Sequence, residues 1–397
     1  MAVATAGGGG TDRPATSLLY NPALRQFVYQ ALTVVGIVWL FWFAGSNAAQ
    51  NLAKANMTAG FDFLNSRAGF DIAQTPIAYT SDSSYLRALT LGLVNTLIVA
   101  VTGIITATIV GLIVGIGRLS HNWLISRIST VYVEVFRNIP PLLVIFFWYK
   151  GVLSLLPDVK KSLELPLSVF VSNRGIYMPA PIFGEGMSVV LAAFAIGVVG
   201  AIIYARWATK QQLATGKRPP VLAVNIGLVV GLPVLAFILM GMPVTFDVPE
   251  LGKFNMRGGT VIGPEFLSLY MALSFYTAAF IAEIVRAGIR GVSKGQTEAA
   301  HALGIRPGLT TRLIILPQAL RIIIPPLTSQ YLNLTKNSSL AVAIGYADLV
   351  AVGGTILNQS GHSIEIIAIW MLIYVSISLA TSLFMNWFNA KMALVER

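Results

Sequence analysis

The chain has 397 residues, of which 55% are hydrophobic and only 11% are charged, and it carries a net charge of +11 with no cysteine. Soluble proteins have about 25% charged residues, so this composition predicts an all-α integral membrane protein. Without cysteine, disulfides and thiolate metal sites are excluded, and the three histidines fit no usual metal-ligand spacing. Because the basic residues lie between apolar stretches and form no recurring basic and aromatic face, we interpret the charge as a topology signal and expect no nucleic-acid partner.

Apolar stretches recur along the chain after residues 1–25, a Gly-rich segment that we expect to be disordered and cytoplasmic. A helix that crosses a bilayer needs about 20 apolar residues, and this length predicts about eight transmembrane helices surrounded by lipid. The predicted spans are 27–43, 89–116, 139–156, 187–205, 221–242, 266–284, 319–344 and 366–388. We interpret the first, within residues 26–44, as an anchor helix.

Lys and Arg residues are distributed unevenly between the two sides of these spans. Seventeen of the 27 fall on the side of the N-terminus, and nine fall on the opposite side. Because cytoplasmic loops are enriched in Lys and Arg, the bias predicts that both termini are cytoplasmic. It places residues 293–317 in the cytoplasm as well, and three longer outer segments, 45–88, 157–186 and 243–265, are large enough to meet a soluble partner.

Residues 293–317 form a polar segment between two spans, and their pattern predicts two short helices joined by a turn. Ser293 followed three residues later by Gln296 is a capping-box pattern that predicts a helix start. Gly304 suits the left-handed position that ends a helix, and Pro307 suits the first turn of the next helix. We expect this second helix to stop or kink at Pro317. An exposed helix with small alanines favours docking of another protein over chemistry.

The same segment contains a spaced motif: Glu-Ala-Ala, three residues, Gly, nine residues, Ile, one residue and Leu-Pro. This motif resembles the signature loop of permease subunits of bacterial ABC importers, which inserts into a cleft of the ATP-hydrolysing subunit. The resemblance implies an ATPase-coupling role for Glu298, Ala299, Ala300, Gly304, Leu316 and Pro317. No Gly-x-x-x-x-Gly-Lys-Ser/Thr phosphate loop occurs in the sequence. We therefore expect a transport subunit that is no enzyme and has no cofactor of its own, with ATP and Mg bound by a partner ATPase.

Further stretches resemble the branch of these permeases that imports polar amino acids such as histidine, glutamate, glutamine and arginine. They include residues 92–97, 134–144 and 282–289, and the resemblance covers roughly 85–156 and 264–395. The usual member has five spans, whereas this chain adds a span in front and inserts about a hundred residues with two spans at 160–264. In this respect it resembles the enlarged Q-type permeases of general L-amino-acid importers. The implied domain order is an extra helix followed by a permease domain over 85–397.

The resemblance implies a set of partners and a location in the bacterial inner membrane. The partners are a pair of ATP-binding subunits, a second and different permease subunit forming a heterodimer, and a periplasmic amino-acid-binding protein. The implied mechanism is alternating access driven by ATP. The alternatives are an ion-gradient-driven secondary amino-acid transporter, whose internal repeat we do not find in the sequence, and a membrane anchor for a soluble complex.

Polar residues inside the spans are candidates for the substrate pathway. Lys336 is the basic residue within a predicted span, and an ionisable residue there is a pathway hypothesis by default. The alternatives are that Lys336 snorkels to the outer interface or pairs with Asp348. The other candidates are Asn333, Asn337 and Ser338 in the same span, which Pro325 and Pro326 are expected to kink, Asn95 and Thr96 in the second span, and Ser274 and Tyr276 in the sixth. Such polar residues also commonly bond neighbouring helices.

Two pairs of opposite charge stand three residues apart near span ends, Glu283 with Arg286 and Glu134 with Arg137. Side chains at this spacing share one face of a helix. We interpret both as structural ion pairs that bind no ligand.

Overall fold

The computed structural model describes residues 22–54, 60–217, 219–253 and 255–392. Most of the segment expected to be disordered, residues 1–21, lies outside these ranges. The described chain is mainly helical, and its α-helices are α1 Pro22–Lys54, α2 Tyr85–Gly117, α3 Trp123–Asn138, α4 Pro141–Phe146, α5 Met187–Thr215, α6 Val221–Ile226, α7 Leu232–Leu239, α8 Pro264–Arg290, α9 Lys294–Ala302, α10 Pro307–Thr310, α11 Leu316–Asn337, α12 Leu349–Ser360 and α13 Ser363–Met392.

Short π and 3₁₀ turns lengthen several of these helices. The π segment Phe147–Val152 continues α4, Gly227–Gly231 joins α6 to α7, and Thr311–Ile315 joins α10 to α11. The 3₁₀ segment Ser338–Ile344 continues α11. With these turns included, the helical stretches of α4, α6–α7 and α10–α11 are each longer than their α-helical parts alone.

Within the described residues, seven helices are long and apolar enough to cross a membrane, or eight if one bent pair counts as a single span. The predicted span at 139–156 corresponds to the second half of this bent pair, Pro141–Leu155, which meets the preceding helix Trp123–Asn138 at 110°. Two consecutive prolines, Pro140 and Pro141, cause the bend. A residue that precedes a proline is driven out of the helical region, and Ile139 accordingly has φ −106° and ψ 134°.

Short β-strands occur in the region that follows α4 and precedes α8, and the prediction of an all-α chain missed them. They are β1 Leu163–Leu165, β2 Val169–Ser172, β3 Gly175–Met178, β4 Ala180–Phe183, β5 Val244–Asp247, β6 Glu250–Leu251, β7 Met256–Arg257 and β8 Thr260–Ile262. One antiparallel sheet has the order β1-β2-β3-β8, and β4-β5 and β6-β7 form two-stranded pairs. Strands of two to four residues are too short to produce a readable alternation of apolar and polar residues.

The core of the bundle is built by α2 lying along α8. Small residues recur every fourth position of α2, at Gly103, Ala107, Gly111 and Gly115. A Cβ atom added at Gly111 would lie 2.6 Å from the side chain of Ile281, so only glycine permits this approach. Small residues allow membrane helices to pack closely, and α11 packs on α8 as well to complete the main apolar cluster.

Helix α1 and helices α5 to α7 lie outside this core and pack much less against the rest of the described chain. The span-like window of α1 is 0% buried, and that of α6 and α7 is also 0% buried. Helix α5 packs against the α6–α7 unit, where a Cβ added at Gly197 would lie 2.1 Å from the carbonyl oxygen of Leu228. Their exposed surfaces are apolar side chains, which lipid solvates.

Candidate functional site

The polar segment 293–317 joins the two core helices α8 and α11. Helix α9 begins after Ser293, as the capping pattern predicted, but the Ser293 side chain makes no capping hydrogen bond. The backbone N–H of Gln296 donates to the carbonyl oxygen of Ser293 at 3.1 Å, and the Gln296 side chain accepts a 3.3 Å hydrogen bond from Gln318 on α11. The start of α9 is therefore tied to the start of α11.

Helix α9 ends at Gly304 in the predicted left-handed conformation, with φ +71°. The N–H of Ile305 donates to the carbonyl of Ala300 at 3.0 Å, the pattern of a Schellman motif. Pro307 occupies the first turn of α10, also as predicted.

Of the two expectations at Pro317, a stop or a kink, the stop was wrong, because helical structure runs from Pro307 to Ile344. The π turn Thr311–Ile315 directly precedes the proline, and the N–H of Leu316 donates to the carbonyl of Thr311. A π turn shifts the hydrogen-bond register, which accommodates a residue that lacks an N–H. Helix α11 likewise continues through Pro325 and Pro326.

Most residues of the motif lie at the surface of the described chain. Glu298, Ala299 and Gly304 are exposed, Leu316 is exposed, Pro317 is half-buried, and Ala300 is buried. The sequence analysis missed the apolar side chains beside them: Leu303 is 79% exposed and Leu313 is 64% exposed. Leu303 falls in the three-residue gap of the motif and Leu313 in the nine-residue gap, and apolar residues within a polar loop were the available signal.

A cluster of ion pairs lies near the C-terminal end of α8, the helix that leads into this segment. The Glu283 carboxylate accepts hydrogen bonds from Arg286 and Arg118, which confirms the Glu283–Arg286 pair and adds a residue the sequence analysis missed. Arg118 also lies 3.6 Å from Glu134. The predicted Glu134–Arg137 pair does not form among the described ion pairs.

Asn95 and Thr96 lie buried on α2, where they hold neighbouring backbone. The Asn95 amide donates to the carbonyls of Gln74 at 3.1 Å and Ala347 at 2.9 Å. The Thr96 hydroxyl accepts from the N–H of Leu349 at 3.0 Å. Asn95 thus binds the non-helical segment before α12, and Thr96 binds the first residue of α12, to α2.

Ser274 and Tyr276 lie on α8 but face different surroundings. Ser274 is fully buried, and its hydroxyl has no hydrogen-bond partner among the described residues. Tyr276 is half-buried, with its ring centroid 5.1 Å from that of Phe280. The structure does not bring either of them to Lys336.

Lys336 lines an open groove between α11, α12 and α13. The groove consists of two adjoining cavities of about 370 and 280 Å³, and Lys336 and Tyr374 line both. The remaining lining residues are Ser339, Val350, Trp370 and Met371 in the first cavity and Val375, Ser378, Leu379 and Ser382 in the second. The serines of α13 were not among the sequence candidates.

The other candidates of the same span lie outside the lining of this groove. Asn333 is exposed, Asn337 is half-buried, and the buried Ser338 hydroxyl donates to the carbonyl of Thr335 at 2.7 Å. Asp348 forms no ion pair with Lys336 in the described structure. Its carboxylate instead caps α12 by accepting from the N–H of Ala351 at 2.8 Å.

A multi-pass helical bundle with an exposed polar helix-turn-helix between two core helices is the arrangement that the sequence analysis expected of a membrane permease. Residues 220–394 match the family described as binding-protein-dependent transport system inner membrane component. Together with the full-length relatives described next, this match shows that the chain belongs to this family of ABC transporter permease subunits.

Three curated relatives are similar over nearly the whole chain. The general L-amino acid transport system permease protein AapQ of Rhizobium johnstonii is 63% identical over 98% of this chain and 97% of the relative. The putative amino-acid ABC transporter permease protein YhdX of Escherichia coli is 47% identical over 95% and 96%. The glutamate/glutamine/aspartate/asparagine transport system permease protein BztB of Rhodobacter capsulatus is 45% identical over 96% of each chain.

These similarities establish a multi-pass transport subunit of the inner membrane and confirm the expected resemblance to enlarged permeases of this kind. They also decide between an ABC permease and an ion-gradient-driven transporter. The ion-gradient-driven secondary transporter was the wrong class, because the relatives and the family are ABC permeases.

Proposed function

We propose that this chain imports polar L-amino acids across the bacterial inner membrane by alternating access. The observation that carries the proposal is the 63% identity to a general L-amino acid permease along almost the full length of both chains. The relative whose name includes glutamate, glutamine, aspartate and asparagine supports a polar substrate class. A zwitterionic substrate of this class needs groups that bind its carboxylate.

The proposed complex contains two ATP-binding subunits, a second and different permease, and a periplasmic amino-acid-binding protein. The ATP-binding subunits hold ATP and Mg, and they dock on the segment 293–317. The distribution of Lys and Arg supports this side as cytoplasmic, with both termini on it. The family's dependence on a binding protein supports a soluble partner at the opposite side.

Coupling follows from the position of this segment between α8 and α11. Exposed Glu298 provides one charge and exposed Leu303 and Leu313 provide apolar contacts, which together suit a docking surface. The bond between Gln296 and Gln318 fixes α9 to α11. Movement of the docked ATP-binding subunits is therefore transmitted to both core helices.

The groove along α13 is the proposed substrate path of this subunit. Lys336 provides a positive charge for a substrate carboxylate, and hydroxyls of Ser339, Ser378 and Ser382 follow it along the groove. An ammonium group within a span is costly in lipid, so the open side requires cover by protein or water. The second permease is the proposed cover.

The coupling role is tested by replacing Glu298 with Arg in the complete complex. We expect Glu298→Arg to lose the ATP-binding subunits on purification and to lower ATP-driven amino-acid uptake in proteoliposomes at least tenfold, because the charge that orients docking is reversed. Glu185→Arg, an equal charge change at an exposed residue outside the coupling segment 293–317 and on the opposite side, should retain the ATP-binding subunits on purification.

Three outcomes test the coupling role of Glu298 and the proposed substrate class. ATP-driven uptake by the wild type, with the ATP-binding subunits lost only in the Glu298 variant, supports the proposal. Full uptake by Glu298→Arg contradicts the coupling role. Wild-type uptake of none of the polar amino acids with ATP contradicts the substrate class.

A further inference from the structure

Residues 60–84, which precede α2, form a compact loop that we call the outer strap. The N–H of Ala68 donates to the carbonyl of Ser83 at 2.8 Å, and the N–H of Gly69 donates to that of Ser81 at 2.9 Å. Arg67 and Asp82 form an exposed ion pair at 2.7 Å. These bonds close the strap on itself, so it can move as a unit.

The first anchor of the strap lies at the turn between α12 and α13. The Phe63 ring is buried and stacks on His362 with 4.2 Å between ring centroids. The N–H of Gly60 donates to the carboxylate of the buried Glu365 at 3.1 Å. This anchor is largely apolar and buried, which makes it costly to release.

The second anchor is Gln74, near the middle of the strap. Its carbonyl accepts from the Asn95 amide at 3.1 Å, and its side-chain amide donates to the Glu265 carboxylate at 3.4 Å. Glu265 also accepts from Tyr149 at 3.3 Å. Gln74 is only half-buried, and its neighbours Ala73 and Thr75 are exposed. The bond to Glu265 is long, and both bonds are made by a partly solvated residue, so they are easier to break than the buried apolar contact of the first anchor.

Both anchors connect to the walls of the Lys336 groove. The Asn95 amide that binds Gln74 also binds Ala347, which lies shortly before the lining residue Val350. On the other wall, Trp370 and Tyr374 pack in the same apolar cluster as Phe63. The strap therefore joins the two walls at the end of the groove opposite the coupling segment.

We propose that the outer strap is a lid over the groove, hinged at Phe63 and latched at Gln74. The latch opens when the groove accepts substrate from the outer side, and it closes before the groove opens inwards. This inference rests on the proposed function for the direction of transport, but lid movement itself is measurable without a known substrate.

The sequence contains no cysteine, so engineered thiols report on the strap directly. Gln74→Cys with Glu265→Cys, bridged by a short bis-methanethiosulfonate in the assembled complex, locks the latch. Arg67→Cys with Asp82→Cys, bridged in the same way, locks only the base of the strap. We expect the first bridge to lower ATP-driven uptake at least tenfold, with recovery after reduction, and the second to change it less than twofold. The corresponding single-cysteine variants treated with the same reagent control for modification without bridging.

A second readout does not depend on the transported solute. The single variant Gln74→Cys should react with an impermeant maleimide at least fivefold faster when ATP and vanadate are added, whereas Thr80→Cys, on the exposed part of the strap, should react equally fast in both states.

A constant labelling rate at Gln74→Cys, or full uptake with the latch bridged, overturns the lid. Loss of uptake on bridging Arg67→Cys and Asp82→Cys overturns movement of the strap as a unit. If wild-type complex shows no ATP-driven uptake while labelling at position 74 still changes, the proposed substrate class fails and the lid stands.

Discussion

Asn95 and Lys336 illustrate what individual residues reveal before the structure is known. Both stood out because polar side chains are rare inside apolar spans. Their surroundings could not be predicted, since Asn95 binds carbonyls 21 and 252 residues away in the chain. Local sequence contains no information on such distant partners. The same limit explains why Tyr374 and the α13 serines were missed, as their neighbour Lys336 comes from another helix.

The packing of Trp370 against α12 permits a sharp test of the groove wall. A Cβ added at Gly353 would lie 2.2 Å from Nε1 of Trp370, whereas a Cβ added at the adjacent Gly354 meets no atom within 4 Å. We expect Gly353→Ala to lower the unfolding free energy by about 1–3 kcal/mol through overpacking and to displace Trp370 from the groove.

The measurement is the thermal unfolding midpoint of the purified protein together with the emission of Trp370. Trp370→Phe identifies the contribution of this tryptophan to the emission. Gly354→Ala is the matched control and should be close to wild type in both. Equal behaviour of the two glycine variants would show that α12 and Trp370 are not in contact as described.

Local rules worked well for turns and less well for prolines. The left-handed Gly304 and the helix start at Pro307 depend on backbone preferences within a few residues, so the sequence was sufficient. The effect of Pro317 depended on a π turn that has no clear sequence signal. The bend between α3 and α4 was missed because the predicted span began at residue 139, at the bend itself, and left α3 outside it.

Two glycines in the coupling segment separate backbone conformation from side-chain contact. Neither Gly304 nor Gly308 has an atom within 4 Å of an added Cβ, but only Gly304 has a positive φ, at +71°. Gly304→Ala should therefore impose a strain of about 1–2 kcal/mol on the turn, whereas Gly308→Ala should be nearly neutral. The expected result is weaker binding of the ATP-binding subunits, by about five- to thirtyfold, in Gly304→Ala alone.

Titration of detergent-solubilised permease complex with purified ATP-binding subunits measures this affinity. Gly304→Asn should recover part of the loss, because asparagine tolerates the left-handed conformation. Comparable weakening by Gly308→Ala would point to surface contact with the partner as the cause.

The arrangement of the whole chain was predictable where hydropathy determines it. Apolar length was sufficient to find α1, α2, α5, the unit of α6 and α7, α8, α11 and α13 as span-like helices. The sheet β1-β2-β3-β8 was not predictable, because it pairs strands on both sides of α5–α7 that are up to four residues long. Its end, β8, leads directly into α8, so the sheet and the coupling segment lie at opposite ends of one span.

This opposition makes the orientation of the protein testable with two single thiols. Leu167, in the turn between β1 and β2, is 88% exposed, and Leu303, after α9, is 79% exposed. If the positive-inside distribution sets the topology, an impermeant thiol reagent added to spheroplasts should label Leu167→Cys and leave Leu303→Cys unlabelled. Inside-out vesicles should reverse the pattern, because each position is then on the other side. Permeabilised membranes should label both, which controls for reactivity. Labelling of both variants from one side would contradict the passage of α8 across the membrane, and the reverse pattern would place the coupling segment outside, away from ATP.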